Sequence, residues 1–242
     1  MGFLINVYNI ALYQPLLNAL VVLYLFLPGH DFGIAVIILT LLIRVVLYPL
    51  GVQSIKSQKI LQELQPKIKE IQEKFKNDKE KQSRATMELY QKEKINPLSG
   101  CLPLLLQLPI LIALYQVFWN GFKADQFGLL YGFIPHPGQI NTTFLGLLDL
   151  AQASAFLAII TGIAQFFQAK TATPSGDPGQ ALKQKDKGSP DFSQMMQKQA
   201  LYFFPVFTVF ILWKLPSAVA LYWLVTTLFT IGQQYIIFKN KK

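Results

Sequence analysis

The chain has 242 residues, of which 52% are hydrophobic and 14% charged, and its formal net charge is +9 at pH 7. Soluble domains carry about a quarter of charged residues, spread over their surface, whereas here the charges lie in a few blocks between long apolar runs. This pattern excludes an ordinary soluble domain and indicates a helical membrane protein. The single cysteine, Cys101, excludes an internal disulfide and any multi-cysteine metal site.

The first segment, residues 1–32, is apolar but interrupted by Asn and Gln residues, and it is closed by the turn sequence Pro28-Gly29-His30-Asp31. We interpret it as an external amphipathic helix that lies in the membrane interface. A sixth membrane span is the alternative interpretation, because the segment is long enough to cross.

The remainder, residues 33–242, is predicted to be a core of five membrane-spanning helices. Four stretches are apolar and long enough to cross about 30 Å of hydrocarbon. A fifth, shorter stretch is separated from the last one by the turn Lys214-Leu215-Pro216, as in a tight hairpin. The expected fold is therefore an all-α integral membrane protein with spans at about 33–54, 98–119, 152–169, 196–213 and 217–238.

The distribution of Lys and Arg predicts the orientation in the membrane. Residues 56–94 contain eleven of these cations, and residues 170–198 and the C-terminal tail contain most of the others, whereas the alternate segments hold only Lys123 and Lys214. The basic segments are therefore expected in the cytoplasm, with the N-terminus outside and the C-terminus inside. The start of the sequence has no transit-peptide character, which favours a bacterial cytoplasmic membrane.

Two of the basic segments differ in their patterns. The first, at about 56–95, is predicted to be a cytoplasmic helical hairpin with a turn at Asn77-Asp78. It is either a solvated spacer or a docking platform for a partner or for anionic lipid headgroups. The second, at about 170–195, is rich in Pro, Gly, Ser and Lys without periodicity and is predicted to be a flexible loop. The helical face of the first segment consists of Ile60, Leu64, Ile68, Ile71 and Phe75.

Arg44 stands in the middle of an apolar run, TLLIRVVLYP. Asp31 precedes it by thirteen residues and Lys56 follows it by twelve, which places Arg44 roughly 18–20 Å from either marker along a straight helix. A charge at the centre of a membrane helix costs about 2.5–3.5 kcal/mol on insertion scales, and no predicted span contains an acidic partner. We therefore expect a water-filled recess, open to the cytoplasm, around Arg44; snorkelling to the interface is the alternative.

Other polar residues in the spans fit such a recess. Thr40 lies one turn before Arg44, and each of these side chains also has a plainer interpretation as a helix–helix contact or as part of an interfacial aromatic belt. No nucleophile with a base, metal-binding motif or phosphate loop is present, so no enzyme activity, metal or cofactor is expected. The candidate site residues are Arg44, Thr40, Gln107, Gln165, Tyr222 and Trp223, with Gln168 as a further polar residue of the third span.

Three segments together resemble the YidC/Oxa/Alb family of membrane protein insertases. They are TLLIRVVLYPL, KINPLSGCLPLLLQLPILIALYQVF and FPVFTVFILWKLPSAVALYWLVTTLFTIGQQ, and the resemblance covers about residues 15–240. It implies a five-helix core with a hydrophilic groove that is open to the cytoplasm and to lipid. Arg44, Thr40, Gln107, Tyr222 and Trp223 match groove positions, and the hairpin at about 56–95 matches the segment proposed to receive substrates.

The resemblance also implies the partners. They are nascent membrane proteins and the lipid bilayer, with the Sec translocon, the ribosome and the signal recognition machinery as further partners; specific nucleic acid recognition is not expected despite the basic charge. The large external domain of many Gram-negative members is not expected in this sequence, and the short C-terminal tail argues against a strong tail-mediated interaction with the ribosome. The rival hypotheses are a small transporter or channel for an anion, and a purely structural partner of a translocon.

Overall fold

The computed structural model describes residues 2–93, 102–120, 124–172 and 199–239. Most of them are helical. The start of the predicted second span and most of the predicted loop at 170–195 lie outside the described residues. The α-helices are α1 (Gly2–Tyr8), α2 (Gln14–Phe26), α3 (Phe32–Val46), α4 (Tyr48–Glu63), α5 (Gln65–Lys74), α6 (Lys79–Lys92), α7 (Leu102–Asn120), α8 (Ala155–Ala172), α9 (Phe204–Leu212) and α10 (Ser217–Lys239).

Shorter elements join these helices. A π-helical turn at Asn9–Tyr13 makes α1 and α2 one continuous helix, and a second π-helical turn at Gln199–Phe203 leads into α9. A 3-10 helix at Ala124–Leu129 follows α7. Two antiparallel strands of two residues, β1 (Thr143–Phe144) and β2 (Leu148–Asp149), form a small hairpin in which Thr143 pairs with Asp149.

The chain is an all-α membrane protein, and its described helices account for part of the predicted number of spans. Among the described residues, three helices are long and apolar enough to cross a membrane, Ile5–Phe26, Ala155–Ala172 and Ser217–Lys239. The pair α3 and α4 makes a fourth if it is one broken span, and Gln199–Leu212 is a shorter apolar helix. The count of five therefore stays a prediction.

The predicted single span at 33–54 is wrong in one respect, because it is two helices, α3 and α4, that meet at an angle of 67°. Pro49 in the first turn of α4 explains the break. It has no N–H to donate to a carbonyl one turn back, and its ring clashes with a continuing helix. Arg44 therefore lies in the last turn of α3, where a cation is favourable for the helix dipole, rather than at the middle of a straight helix.

The predicted helical face at 60–75 is interrupted in the same way. The chain turns at Leu64, and α5 begins with Pro66 in its first turn. Leu64 and Ile68 are buried, but Ile60 is 41% exposed. The turn between α5 and α6 covers residues 75–77, and the Asp78 side chain accepts a hydrogen bond from the Lys81 N–H at 3.0 Å as the N-cap of α6.

One end of the bundle, formed by residues 27–31, 124–154 and 213–216, is called the loop end. The Asp31 carboxylate joins two parts of it, because it accepts hydrogen bonds from the N–H of Ile34 at 2.9 Å and of Leu145 at 2.6 Å. The Ser217 N–H donates to the Gln152 carbonyl at 2.8 Å and so fixes the start of α10 to the segment before α8. The β-hairpin covers the start of α3, where a Cβ on Gly33 would lie 2.1 Å from the Phe144 ring.

The N-terminal helix is hydrogen-bonded to α7 and to the segment that follows it. The Tyr8 hydroxyl donates to Gln116 Oε1 at 3.1 Å and the Tyr13 hydroxyl to Gln126 Oε1 at 2.9 Å. The Tyr24 hydroxyl accepts from the Asn141 N–H at 3.0 Å. These partners lie in the last turns of α7 or in the segment that follows it.

The opposite end, formed by residues 47–93 and the last turns of α8 and α10, is called the hairpin end. Here α4 crosses the C-terminal ends of two other helices. Lys59 Nζ donates to the carbonyls of Ile237 at 3.2 Å and Phe238 at 3.5 Å, and Gln62 Nε2 donates to the Ala172 carbonyl. Side chains of α4 thus satisfy carbonyls that have no partner within their own helix.

Candidate functional site, a polar cluster around Arg44

The cluster forms where α3, α7 and α10 meet. Arg44 Nη2 donates to Gln107 Oε1 at 2.9 Å, and Arg44 Nε lies 3.4 Å from Thr226 Oγ1. Gln107 Nε2 in turn donates to the Tyr222 hydroxyl. Because Tyr222 and Thr226 are four residues apart on α10, they lie on one face of the helix and turn the same way towards Arg44.

The partners of Arg44 are uncharged, so the hydrogen bonds orient the guanidinium without neutralising its charge. Three ion pairs lie within the α5–α6 region, between positions 67 and 93. Asp149, which precedes the predicted third span by three residues, accepts a hydrogen bond from Thr142 Oγ1 at 2.6 Å at the loop end. The cluster is therefore a site of net positive charge inside a helix bundle.

The structure brings together three of the six predicted residues, Arg44, Gln107 and Tyr222. Thr40 is fully buried one turn before Arg44, and its hydroxyl donates to the Val36 carbonyl of its own helix at 2.6 Å. Trp223 is half-buried and packs against the hydrophobic core. Gln165 is half-buried on α8, and its buried Oε1 has no hydrogen-bond partner among the described residues.

Sequence reasoning missed Thr226. The signal was present, because Thr226 follows Tyr222 by one helical turn and the stretch from 222 to 234 carries a polar residue at nearly every turn. The predicted site included only Tyr222 and Trp223 from this helix, because large aromatic residues are a more conspicuous signal than threonine. Threonine in a membrane helix is common and bonds its own backbone easily, so by itself it is a weak indication of a site.

The helices α5 and α6 are rich in charged side chains, unlike the apolar helices of the bundle. Lys67 Nζ lies 2.7 Å from Glu93 Oε1 and ties the start of α5 to the end of α6. The hydrogen bond from Lys67 holds the pKa of the Glu93 carboxyl below its usual range. The N–H and then the side chain of Lys81 do the same for the pKa of Asp78. Among the described residues, no three His, Cys, Asp or Glu side chains come close enough to hold a metal ion.

Together these features define a class: a helical membrane protein with several spans, in which an arginine within the bundle is bound by neutral side chains. The sequence profile of the family described as 60Kd inner membrane protein matches residues 23–242. The chain belongs to this family, and it is a multi-pass protein of the bacterial inner membrane.

Curated bacterial relatives agree with this assignment. A protein of Fusobacterium nucleatum named membrane protein insertase YidC is 38% identical over 212 residues, which cover 87% of both chains. Proteins of the same name from Syntrophus aciditrophicus and Geobacter metallireducens are 38% and 36% identical over 94% of this chain. The chain spans 36% and 37% of the length of these two relatives.

Proposed function

We propose that this protein is a membrane protein insertase that receives nascent membrane proteins at a hydrophilic groove containing Arg44 and releases them sideways into the bilayer. The observation that carries the proposal is the cluster itself, in which Arg44 is bound by Gln107 and Thr226 and keeps its positive charge. The name of the relatives supports insertion rather than the transport of an anion.

The mechanism follows from solvation. A short polar or acidic flank of a nascent segment cannot enter hydrocarbon without losing its hydrogen bonds to water. A groove with polar side chains shortens the apolar distance that the flank crosses, and a fixed cation attracts its carboxylates. The apolar helix that follows partitions into lipid by its own hydrophobicity. No nucleotide or cofactor enters these steps.

The proposal includes a topology of five spans with the N-terminus outside and the C-terminus in the cytoplasm. In this topology the loop end faces outward and the basic α5–α6 region faces the cytoplasm. The contacts of Tyr8 and Tyr24 support an interfacial N-terminal helix. These residues are sixteen positions apart, about 24 Å along a helix. Tyr24 binds at the loop end, and Tyr8 binds Gln116, which lies four residues before the end of α7 at Asn120. A helix that crossed the bilayer would carry Tyr8 away from that end.

The proposed partners are nascent membrane proteins and lipid, with the Sec translocon, the ribosome and the signal recognition machinery as further candidates. The α5–α6 region is the proposed docking platform for such partners, because it carries many exposed cations. It is held by the Lys67–Glu93 pair where α5 begins and α6 ends, and by the Asp78 cap at the turn between them.

Insertion by the purified protein in liposomes tests the function. The wild type should insert a single-span reporter with an acidic flank above the level of protein-free liposomes. Arg44→Ala should lower insertion of the acidic reporter. Arg44→Lys should retain part of the wild-type insertion if the positive charge, rather than the planar geometry of the guanidinium, is what attracts the flank. Lys214→Ala, which removes an exposed cation at the loop end, is the matched control and should insert like the wild type.

Two outcomes would contradict the proposal. Equal insertion of the acidic reporter by Arg44→Ala and the wild type would refute the role of the charge. Liposomes that show flux of a small anion but no insertion would favour the rival transporter or channel, whereas neither activity would favour a structural partner of a translocon.

A further inference from the structure

The β-hairpin of the loop end has an exposed apolar turn, residues 145–147, which is called the hairpin tip. Leu145 is 60% exposed and Leu147 is 89% exposed. Phe144 and Leu148, which pair across the two strands, are instead half-buried and pack against the hydrophobic core. A single exposed leucine is common on a protein surface, but two of them flank one glycine here and form a small apolar patch.

The backbone of the hairpin tip is unfavourable for leucine. The Leu147 N–H donates to the Phe144 carbonyl at 3.0 Å and closes the turn. Both central residues have positive φ, 52° at Leu145 and 68° at Gly146. Turns of this kind favour Asn, Asp or Gly at the first central position, because the Cβ of most other residues is crowded there. Asparagine at position 145 would suit both the backbone and water better, so the leucine fits a less polar surrounding.

The hairpin tip is held at the start of a candidate membrane span. The Asp31 carboxylate caps α3 and also accepts a hydrogen bond from the Leu145 N–H at 2.6 Å. The Phe144 ring lies beside Gly33 in the first turn of the same helix. The helices α3 and α4 together are long and apolar enough for one broken span. Because a span starts where headgroups meet hydrocarbon, the hairpin tip lies at this boundary.

The sequence around the hairpin tip carries no charge. No Asp, Glu, Lys or Arg occurs between Asp125 and Asp149. The Asp149 carboxylate accepts hydrogen bonds from Thr142 Oγ1 at 2.6 Å and from the Ala151 N–H at 2.9 Å, so it is bound within the loop end. Segments that face bulk water usually carry charged residues, since these are the residues most often exposed. An uncharged segment with an exposed apolar turn is suited to the membrane interface.

We propose that the hairpin tip inserts Leu145 and Leu147 into the headgroup layer of the bilayer and thereby fixes the depth of the loop end in the membrane. The partner is lipid, because the turn is apolar, uncharged and held at the start of a span. The polar backbone of a turn cannot enter hydrocarbon without losing its hydrogen bonds to water, so the tip reaches the interface and no deeper. A thiol at position 147 therefore stays accessible to a water-soluble reagent.

Fluorescence quenching in liposomes tests this contact with the full chain. In a Cys101→Ser background, Leu147→Cys carries a small environment-sensitive fluorophore, and the liposomes contain a lipid with a nitroxide near the top of its acyl chain. Fluorescence at position 147 should fall when this lipid replaces the unlabelled lipid. Gln139→Cys, at an exposed polar position of the same segment, is the matched control and should lose little fluorescence.

Leu145→Asn separates the apolar side chain from the turn. Asparagine tolerates positive φ, so the hairpin keeps its fold while the tip becomes polar, and quenching at position 147 should weaken. Equal quenching at positions 139 and 147, or unchanged quenching in Leu145→Asn, would overturn the inference. The measurement uses no substrate, so failure of the proposed insertase function would leave its result unchanged.

Discussion

At the scale of single residues, the Arg44 cluster is a chain of hydrogen bonds with one charged member. Bonds between a charged donor and a neutral acceptor contribute about 1.5–3 kcal/mol, more than a neutral pair. Gln107 is central because its oxygen accepts from Arg44 and its nitrogen donates to Tyr222. Removing Gln107 leaves two buried or half-buried partners without their bond, whereas removing Thr226 takes away only a long contact of 3.4 Å.

We expect Gln107→Leu to lower the free energy of unfolding by about 1–3 kcal/mol, the cost of leaving buried polar partners unpaired. Tyr222→Phe should cost less once Gln107 is gone, because the two residues share one bond, and the coupling should be about 0.5–2 kcal/mol. Reversible unfolding in mixed detergent micelles measures the four members of the cycle. The control is Gln116→Leu on the same helix, whose effect should add to that of Tyr222→Phe. Additivity in the Gln107 cycle would contradict the cluster.

At the scale of elements, the sequence predicted the helices α8 and α10 well because each is a continuous apolar run. It failed at Pro49, which ends an apolar helix, and at Pro66, which interrupts the amphipathic face at 60–75. Pro49 and Pro66 were visible, but hydropathy averages over them, and the apolar residues continue on both sides. The N-terminal helix shows a different limit. Its composition suits a span or an interfacial helix equally, and Ile5–Phe26 is long and apolar enough to cross a membrane, so the interfacial position stays a prediction.

The prediction of the site was limited in the same way. Arg44 and Gln107 could be found because a charge and an amide are unusual in apolar runs. Which of the other polar residues meet them depends on how the helices are rotated about their axes. Thr40 and Thr226 both lie about one turn from a cluster member in sequence, yet one hydroxyl bonds its own helix and the other faces Arg44.

Close packing of α8 on α9 depends on Gly162. A Cβ there would lie 2.3 Å from Val209 Cγ2 and 3.2 Å from the Pro205 carbonyl oxygen. Gly162→Ala should therefore cost about 1–3 kcal/mol of unfolding free energy through overpacking, and Val209→Ala in the same chain should restore part of it. Gly232→Ala on α10 is the control. No atom lies within 4 Å of its added Cβ, so it should be neutral or stabilise by up to about 1 kcal/mol. Thermal unfolding in detergent compares the three.

The start of α6 should depend on pH through Asp78. Its carboxylate caps the helix, and the Lys81 N–H holds the pKa of Asp78 below its usual range. A lowered folded-state pKa means that the cap stabilises the helix above the ordinary range of an aspartate and is lost as pH falls through the folded value. Hydrogen exchange of residues 79–82 should accelerate in acid relative to the rest of α6. Asp78→Asn should remove this acid dependence, because an amide also caps but does not titrate.

If Asp78→Asn keeps the acid dependence of the wild type, another group controls the fraying. Glu93 at the far end of α6 is the comparison. Its pKa is lowered by the hydrogen bond from Lys67, so Glu93→Gln should change exchange at the end of the helix and not at its start.

At the scale of the whole molecule, the two ends of the bundle are built differently. The loop end is closed by backbone and carboxylate hydrogen bonds, such as those of Asp31 and Ser217, and by the β-hairpin over Gly33. The hairpin end is held by the side chains of Lys59 and Gln62 on helix carbonyls. Long side chains lose conformational entropy when they are ordered, so we expect the hairpin end to open more easily than the loop end. This asymmetry fits a groove that is closed outside and accessible from the cytoplasm.

The proposed orientation predicts which positions a membrane-impermeant reagent labels from outside. In a Cys101→Ser background, single cysteines replace Asn6 in the N-terminal helix, Leu147 at the tip of the β-hairpin and Glu88 on α6, all of which are exposed. A membrane-impermeant maleimide added to intact spheroplasts should label Asn6→Cys and Leu147→Cys, and it should label Glu88→Cys only after the membrane is opened. If the N-terminal helix spans the bilayer, Asn6→Cys will instead behave like Glu88→Cys. Labelling of Glu88→Cys with protection of Leu147→Cys would reverse the whole topology, and the positive-inside argument would then fail for this chain.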